Sequence, residues 1–289
     1  MRLLITGVSG QVGLEVFKLS NHQNYGIYFG HETKIPNENL LKADIRDRQK
    51  IFDIVREIKP DWIVHCAAAT KVDWCETNRE QAWKINVTGT KNLVDASMEI
   101  NSKFLYVSTD YVFDGKKGNY KETDEAEPIN FYGKTKLEGE LIVKGLQNFL
   151  IMRTSHVYSH MRDNFVLWLI EKLKQGNVEC PHNMISSPTS SFELAEAILK
   201  AIKKELNGVY HSAGNEQISR YGFAKKIAKV FGYDDYNVKS IEMKDLDFTA
   251  KRPENSSLNT SKILNKGIEF SDVYAALEKL KGQMKNLGL

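Results

Sequence analysis

The sequence has only three cysteines, and its charges nearly cancel, since 40 lysines and arginines stand against 37 aspartates and glutamates for a net charge of +3. The cysteines, Cys66, Cys75 and Cys180, are odd in number and form no Cys-x-x-Cys pair, so we predict neither a disulfide framework nor a structural metal. A charge excess this small and this evenly distributed excludes the basic surface typical of nucleic-acid-binding and membrane-surface proteins.

Long hydrophobic runs are also missing. No stretch approaches the roughly 18 consecutive apolar residues of a membrane span, and the N-terminus lacks the apolar region and cleavage site of a secretory signal. We therefore expect a cytoplasmic protein that binds neither membranes nor nucleic acid. The 289 residues, 42% hydrophobic and 27% charged, have an ordinary globular composition and are enough for one large domain or two smaller ones. The expected partner is a small molecule.

Short apolar runs alternate with helical patterns through the first half of the chain. Runs typical of buried strands occur at 2–6, 25–29, 61–65, 104–107 and 149–152, and helical periodicity occurs at 11–19, 47–58, 79–100 and 131–144. This alternation is typical of βαβ units and a parallel sheet. Beyond residue 153 the pattern predicts helices at 164–175, 192–204, 220–230 and 272–284, with a weak strand at 209–211.

We therefore predict an α/β fold, a Rossmann-type doubly wound parallel sheet with a smaller C-terminal α/β cap that binds substrate. The dinucleotide-binding domain would comprise residues 1–153. Residues 154–289 would be mainly the substrate-binding domain, with part of them returning to the Rossmann sheet. No Pro/Gly/Ser-rich linker separates the two halves, so we expect them to pack directly and form a cleft.

Three glycines at intervals of three, Gly7, Gly10 and Gly13, follow the first predicted strand and open the first predicted helix. Glycines at such a junction allow a tight turn and a close approach of the backbone to a pyrophosphate, which the helix N-terminus attracts. The spacing is G-x-x-G-x-x-G rather than the common G-x-G-x-x-G. Its position at the start of a βαβ series predicts a dinucleotide site.

The end of the second predicted strand bears on the choice of dinucleotide. An acidic residue there would bind the adenosine ribose, but Gly30 occupies that position and Glu32 comes two residues later. With His31 and Lys34 nearby, we favour NADP(H), with NAD(H) as the alternative. Further along, Asp44 could accept a hydrogen bond from the adenine amino group, or it could be a helix N-cap or turn residue.

A tyrosine and a lysine four residues apart, Tyr132 and Lys136, share one face of a predicted helix. A lysine ammonium and an oxidised nicotinamide would both favour the phenolate and lower the phenol pKa from its usual value of about 10, so that Tyr132 could exchange a proton near neutral pH. Thr109 ends the fourth predicted strand, where catalytic groups of open α/β sheets collect. Its hydroxyl could bind a substrate oxygen that gains charge during hydride transfer.

Several longer stretches carry a resemblance to a known family. They are TGVSGQVG (6–13), HCAAATKVDWCE (65–76), INVTGTKNL (85–93), STDYVFDG (108–115), PINFYGKTK (128–136), RTSHVY (153–158), SPTS (187–190) and RPENSSLNT (252–260). Over nearly its whole length the chain resembles the extended short-chain dehydrogenase/reductases. STDYVFDG and RPENSSLNT point more narrowly to the dTDP-4-dehydrorhamnose reductases.

The resemblance implies a catalytic triad in which Thr109 binds the C4 oxygen of a keto sugar, Tyr132 protonates it, and Lys136 holds the nicotinamide ribose. The residues implied for the cofactor are Gly7, Gly10, Gln11, Val12, Gly13, Asp44, Ile45, Ala67, Ala68, Ala69, Asn86, Tyr132 and Lys136. Those implied for the substrate are Val72, Thr109, Asp110, Tyr111, His156, Asn164, Phe165 and Arg252. His156 departs from the tryptophan that commonly packs on the sugar in this family, which leaves the sugar open.

The function this implies is NAD(P)H-dependent reduction of the C4 keto group of a dTDP-4-keto-6-deoxy-sugar in dTDP-L-rhamnose biosynthesis. One alternative is another nucleotide-sugar enzyme, an epimerase or a 4,6-dehydratase. The dehydratases place an Asp-Glu pair after the active-site threonine, whereas Asp110 is followed here by Tyr111, which argues against elimination chemistry. A second alternative is a non-catalytic regulatory subunit similar to the methionine adenosyltransferase β subunit. The oligomeric state stays open, with a homodimer among the arrangements.

Overall fold

The computed structural model describes residues 1–30, 38–161 and 164–288. The strands are β1 (Arg2–Thr6), β2 (Gln23–Tyr28), β3 (Leu40–Lys42), β4 (Trp62–His65), β5 (Lys103–Thr109), β6 (Phe149–Thr154), β7 (Val157–Tyr158), β8 (Val178–Pro181), β9 (Ile185–Ser186), β10 (Thr189–Ser190), β11 (Gly208–His211), β12 (Ile218–Ser219) and β13 (Val238–Ile241). Within the described ranges, seven of them form one sheet in the order β11-β6-β5-β4-β1-β2-β3, and every neighbouring pair is parallel. The predicted doubly wound fold class is confirmed.

The helices are α1 (Gln11–Leu19), α2 (Arg48–Ile58), α3 (Val72–Thr77), α4 (Arg79–Trp83), α5 (Gly89–Glu99), α6 (Phe131–Val143), α7 (Phe165–Leu173), α8 (Ser191–Lys203), α9 (Arg220–Phe231), α10 (Ser261–Leu264) and α11 (Val273–Asn286). Side chains define several of their starts: Asp47 accepts a hydrogen bond from the backbone N–H of Lys50 at α2, and Asn130 from that of Gly133 at α6.

Apolar residues cover both faces of the main sheet. Leu3 and Ile5 of β1 belong to a core that includes α1 and α8, whereas Leu4 belongs to a core that includes α2 and α5. Successive strand residues point to opposite faces, so an uninterrupted apolar run is what a strand buried on both sides requires. This explains why β1 carries no polar alternation.

The C-terminal half has a core of its own, built from residues between Tyr158 and Met284 on β8, α7, α9, β13 and α11. Part of the same half belongs to the main sheet, because β11 pairs with β6 and α8 packs against α1. The domain boundary at 153/154 stays a prediction.

Two local features are not predicted from the sequence. The helix predicted over 79–100 is present, but its turn over Lys84–Thr88, between α4 and α5, is π-helical; π turns inside helices are frequent at functional sites. The edge strand β3 is not predicted, since three residues are too few to show a period. His31, Glu32 and Lys34, which bear on the choice of cofactor, lie outside the described residues.

Candidate active site

A cavity of about 1060 Å³ opens where β1, β4, β5 and β6 end. The predicted site residues that line it are Gly7, Gly10, Gln11, Val12, Gly13, Asp44, Ile45, Ala67, Ala68, Ala69, Val72, Thr109, Asp110, Tyr111, Tyr132, Lys136 and His156. The lining does not include the predicted residues Asn86, Asn164, Phe165 and Arg252. Lining residues that the sequence predictions missed include Met184, Ser186, Arg220 and Ser256.

The glycine turn forms one wall of this cavity. Gly7 has a φ of +71°, and a Cβ there would lie 2.8 Å from the backbone nitrogen of Ala67. A Cβ on Gly13 would collide with the carbonyl oxygen of Gly7, so both positions need glycine. Gly10 begins α1 without a side-chain cap. The first N–H groups of α1 are therefore available to an anionic group such as a pyrophosphate.

Asp44 lies on the same wall and is held by Arg46. The Nε and Nη2 atoms of Arg46 donate to the Asp44 carboxylate at distances between 2.6 and 3.0 Å. Burial alone would raise the pKa of Asp44, but the hydrogen bonds and charge of Arg46 outweigh it and lower that pKa. Asp47, not Asp44, caps α2, so the helix-cap interpretation of Asp44 is wrong, whereas its interpretation as a turn residue is confirmed, since the backbone N–H of Asp47 donates to the Asp44 carbonyl oxygen at 3.0 Å. Its contact with adenine stays a prediction.

The three residues of the predicted triad, Thr109, Tyr132 and Lys136, all line this cavity. Thr109 ends β5, and Tyr132 and Lys136 project from the first two turns of α6. Burial raises the pKa of Tyr132 above its ordinary value, and a hydrogen bond with Thr109 offsets this only in part. In the protein alone, desolvation of the phenolate therefore dominates, and the lowering expected from Lys136 together with an oxidised nicotinamide stays a prediction.

Lys136 is buried beside the tyrosine. Its Nζ donates to the carbonyl oxygen of Val107 at 2.8 Å and lies 3.9 Å from the ring centroid of Tyr106. Burial lowers the pKa of Lys136 to about 7, although the negative charge of Glu140 opposes the shift. The ammonium and the neutral amine are therefore both accessible near neutral pH.

A buried ion pair links α6 to the ends of β5 and β6. The Nε and Nη2 atoms of Arg153 donate to the two carboxylate oxygens of Glu140 at 2.8 and 2.7 Å, and the hydroxyl of Ser108 donates to the same carboxylate at 2.6 Å. Arg153 belongs to β6, Ser108 to β5 and Glu140 to α6. Bidentate pairing fixes both position and orientation. It holds the helix that carries Tyr132 against the ends of two strands.

Asn86, in the π-helical turn, links Ala69, which lines the cavity, to α6, which carries Tyr132 and Lys136. Its Oδ1 accepts from the backbone N–H of Ala69 at 2.7 Å, and its Nδ2 donates to Ala69 O at 3.0 Å and to the hydroxyl of Thr135 at 2.9 Å. The Thr135 hydroxyl donates in turn to the carbonyl oxygen of Tyr132 at 2.8 Å. Asn86 therefore acts behind the cavity lining rather than in it.

His65 continues this network toward β1, and the hydrogen bonds define its tautomer. The Thr90 hydroxyl donates to Asn86 O at 2.7 Å, so it accepts from His65 Nε2, 3.0 Å away. His65 Nδ1 then accepts from the Thr6 hydroxyl at 2.7 Å, and the Thr6 oxygen accepts from the N–H of Ala67 at 3.2 Å. Burial lowers the pKa of His65 to about 3, so the ring is neutral and the directions are fixed.

Asp110 joins the two stretches that carry the narrower resemblance, 108–115 and 252–260. Its carboxylate accepts from the hydroxyls of Ser256 at 2.5 Å, Ser155 at 2.7 Å and Thr109 at 3.1 Å. Burial raises the pKa of Asp110, and the three hydrogen bonds oppose the shift. The contacts bring the segment after Arg252 against the end of β5.

His156 and Arg220 form part of the wall contributed by the C-terminal half. The Nη1 of Arg220 contacts Nε2 of His156, and the guanidinium lies 4.4 Å from the ring centroid of Phe165. The ring of Phe165 is 5.4 Å from that of His156, so Phe165 supports the pair from behind. Asn164 caps α7 by accepting from the N–H groups of Val166 and Leu167.

The side chain of Arg252 is paired with Asp73 and does not line the cavity. Its Nη2 lies 2.7 Å from the carboxylate of Asp73, and its Nη1 donates to Ala250 O at 2.8 Å. The charge of Arg252 is therefore already compensated. No local pattern marks Arg220 in the sequence, since it is one arginine at the start of an ordinary amphipathic helix.

The described residues include neither a cluster of metal-ligating side chains nor a membrane-spanning helix. Among residues 1–30, 38–161 and 164–288, no group of three or more His, Cys, Asp or Glu side chains could hold a metal ion. Over the same part of the chain, no helix is long and apolar enough to cross a membrane.

A glycine turn facing a threonine, a tyrosine and a lysine across one cavity of a doubly wound sheet is the arrangement of a short-chain dehydrogenase/reductase. More specifically, the chain belongs to the RmlD substrate binding domain family, which matches residues 1–285. The family resemblance predicted from the sequence is confirmed.

Individual relatives cover nearly the whole chain. The dTDP-4-dehydrorhamnose reductase of Aggregatibacter actinomycetemcomitans is 34% identical over 97% of this chain and 98% of that protein. The crystal structure of dTDP-4-dehydrorhamnose reductase from Bacillus anthracis str. Ames in complex with NADP matches with a TM-score of 0.89 and 33% identity, covering 98% of this chain and 99% of that one. Methionine adenosyltransferase 2 subunit beta of Mus musculus is 31% identical over 92% of this chain and 83% of that protein.

Proposed function

We propose that this chain is an NADPH-dependent oxidoreductase that reduces the C4 keto group of a dTDP-4-keto-6-deoxy-sugar, as in the last step of dTDP-L-rhamnose synthesis. The observation that carries the proposal is the meeting of Thr109, Tyr132 and Lys136 on a cavity that the glycine turn also lines. Relatives named dTDP-4-dehydrorhamnose reductase support the choice of substrate class.

The cofactor half of the cavity fits a dinucleotide. The uncapped start of α1 and the glycine positions that tolerate no Cβ would hold the pyrophosphate, and the buried Oε1 of Gln11 has no hydrogen-bond partner among the described residues. Asp44 and Ala67–Ala69 would line the adenosine and nicotinamide portions. We favour NADP(H) over NAD(H), and the NADP in the Bacillus anthracis relative supports that choice. The domain assignment, 1–153 for cofactor and 154–289 mainly for substrate, follows.

When bound, the reduced nicotinamide supplies a hydride to the carbonyl carbon of the substrate. Thr109 and Tyr132 would donate hydrogen bonds to the carbonyl oxygen, and Tyr132 would transfer its proton to that oxygen as negative charge develops. Because burial keeps Tyr132 protonated at neutral pH, it is in the form that a proton donor needs. The ammonium of Lys136 would stabilise the tyrosinate that results and hold the nicotinamide ribose.

The test is to mix the protein with dTDP-4-keto-6-deoxy-L-lyxo-hexulose and NADPH and to follow the absorbance of NADPH. We expect oxidation that depends on the sugar and needs the hydroxyl of Tyr132. Absence of oxidation, or equal oxidation by Tyr132→Phe, would exclude the proposal. Comparing KM for NADPH and NADH tests the cofactor choice, which a clear preference for NADH would overturn.

A second candidate function is that of a non-catalytic regulatory subunit, which the 31% identity to methionine adenosyltransferase 2 subunit beta of Mus musculus favours. An adenosyltransferase that copurifies stoichiometrically from lysate of the source cells, together with no sugar-dependent NADPH oxidation, would support it.

We favour a cytoplasmic location, because three unpaired cysteines suit a reducing compartment. We also favour a homodimer as the assembly, which sedimentation measurements would test.

A further inference from the structure

We propose that Arg220 binds the diphosphate of the nucleotide-sugar substrate and that His156 orients the guanidinium for this contact. The inference rests on the proposed function and deepens it, because it assigns the recognition of the anionic part of the substrate to a residue that the sequence motifs do not mark.

The charge balance of the cavity points to Arg220. The lysine and arginine side chains that line the cavity, among the residues described, are Lys71, Lys136 and Arg220. Lys136 is already bound to Val107 O and the Tyr106 ring, and Lys71 is exposed. Within the described part of the chain, the only polar partner of the Arg220 side chain is His156. A partly buried guanidinium keeps its charge, so an anionic ligand would complete the site.

The contact with His156 explains how the guanidinium is oriented. Burial and the charge of Arg220 lower the pKa of His156 well below its ordinary value, so the ring is neutral and its Nε2 accepts from Nη1 of Arg220. The imidazole lies 5.4 Å from the ring of Phe165 and 5.5 Å from that of Phe223. His156 has a φ of +41°, a conformation that costs free energy and tends to occur at functional sites. The remaining N–H groups of Arg220 are left for a ligand.

Arg220 and Tyr132 line the same cavity, as the two ends of one substrate require. Tyr111 lies beside Tyr132, with ring centroids 6.0 Å apart, and it lines this cavity too, whereas Arg252 does not. In a 4-keto nucleotide-sugar, the diphosphate is attached at C1, across the six-membered ring from C4. A sugar with its C4 oxygen at Tyr132 would therefore extend its diphosphate past Tyr111 toward Arg220.

Arg252, which the sequence resemblance implies for the substrate, is less suited to this contact. Its guanidinium is paired with Asp73, and its Nη1 donates to Ala250 O. Binding the diphosphate through Arg252 would require breaking that pair, whereas Arg220 has no carboxylate partner to lose among the described residues.

The test compares dTDP with thymidine by titration calorimetry in the presence of saturating NADP⁺. For Arg220→Gln we expect dTDP binding to weaken roughly 10- to 100-fold, the range for losing a hydrogen-bonded charge, while thymidine and NADP⁺ binding stay unchanged. Arg220→Lys should recover part of the loss. Lys225→Gln, which removes one charge from the same helix outside the cavity, should bind dTDP as the wild type does.

Two outcomes would overturn the inference. In the first, Arg220→Gln binds dTDP as tightly as the wild type, and a selective loss of dTDP in Arg252→Gln would then assign the contact to Arg252. In the second, Arg220→Gln loses thymidine and dTDP equally, which would show a general disturbance of the pocket. A wild-type protein that binds NADP⁺ but not dTDP would overturn the nucleotide-sugar part of the proposed function as well, so the two failures are distinguishable.

Discussion

Two parts of the cavity wall are built in different ways. The part formed by Gly7 to Gly13 and Ala67 to Ala69 presents mainly backbone N–H groups, carbonyls and small side chains. The part from the second half of the chain presents side chains from separate segments, among them His156, Met184 and Arg220. A backbone surface suits a ligand that stays the same, such as a dinucleotide, whereas exchangeable side chains can adapt to one particular sugar. We infer that cofactor binding and substrate choice are separable in this protein.

The largest effect, a loss of turnover, is expected at Tyr132, which lines the cavity. Tyr132→Phe removes the proton donor without changing either wall, so turnover should fall by roughly 10²- to 10⁴-fold, the usual contribution of general acid catalysis. NADPH and dTDP should bind as in the wild type, which calorimetry would check. Tyr236→Phe, at a tyrosine that is 77% exposed, is the control. A parallel loss of dTDP affinity would mean that Tyr132 belongs to the binding surface instead.

A methyl group added in the glycine turn should weaken the binding of NADPH but not that of dTDP. In Gly13→Ala the Cβ meets the carbonyl oxygen of Gly7, so the turn must shift, and we expect NADPH affinity to fall roughly 10- to 100-fold. Binding of dTDP should change little. Gly282→Ala, on α11, has nothing within 4 Å of the added Cβ and should behave as the wild type. Equal losses of both ligands in Gly13→Ala would contradict the separation.

The buried lysine should leave a signature in the stability of the protein. The pKa of Lys136 is lowered from 10.5 to about 7 in the folded state, so between those values the unfolded state binds more protons. The free energy of unfolding should therefore rise with pH across this window, by at most about 1.4 kcal/mol per pH unit. Urea denaturation at pH 7, 8 and 9 should show this rise in the wild type relative to Lys136→Met.

The exposed Lys134, on the same helix, provides the control for that measurement. Lys134→Met should follow the wild-type dependence on pH. If wild type and Lys136→Met changed in parallel, Lys136 would have an ordinary pKa and the account of its burial would be wrong.

The smallest effect on ligand binding is expected at Asn86, which links Ala69 to α6. Asn86→Ala leaves the N–H of Ala69 and the hydroxyl oxygen of Thr135 without the amide as partner and should lower the free energy of unfolding by about 1–3 kcal/mol, with a modest rise in KM for NADPH. Asn286→Ala, at the exposed end of α11, should have no measurable effect. An Asn86→Ala protein of unchanged stability would mean that water replaces the amide and that the tie is dispensable.

The sequence predictions are accurate where a feature depends on residues close together in the chain, and they fail where it depends on distant contacts. The strands of the main sheet other than β3, the glycine turn and the Tyr132–Lys136 pair depend on short-range patterns, and the structure has each near its predicted position. The π-helical turn around Asn86 could not be predicted, because it depends on contacts with Ala69 and Thr135, which are distant in sequence. The fall of the Lys136 pKa likewise depends on burial that no local pattern reports.

The sequence by itself determined the order of strands and helices, the dinucleotide turn and the presence of a tyrosine and lysine on one helix face, since each depends on residues within one or two turns of chain. The tertiary structure alone decided which arginine meets the cavity. Arg252 is brought to Asp73, across 179 positions of sequence, and Arg220 is brought to His156, across 64. Whether an arginine is paired with a carboxylate depends on the side chains that the fold brings next to it, and those side chains are distant in the sequence.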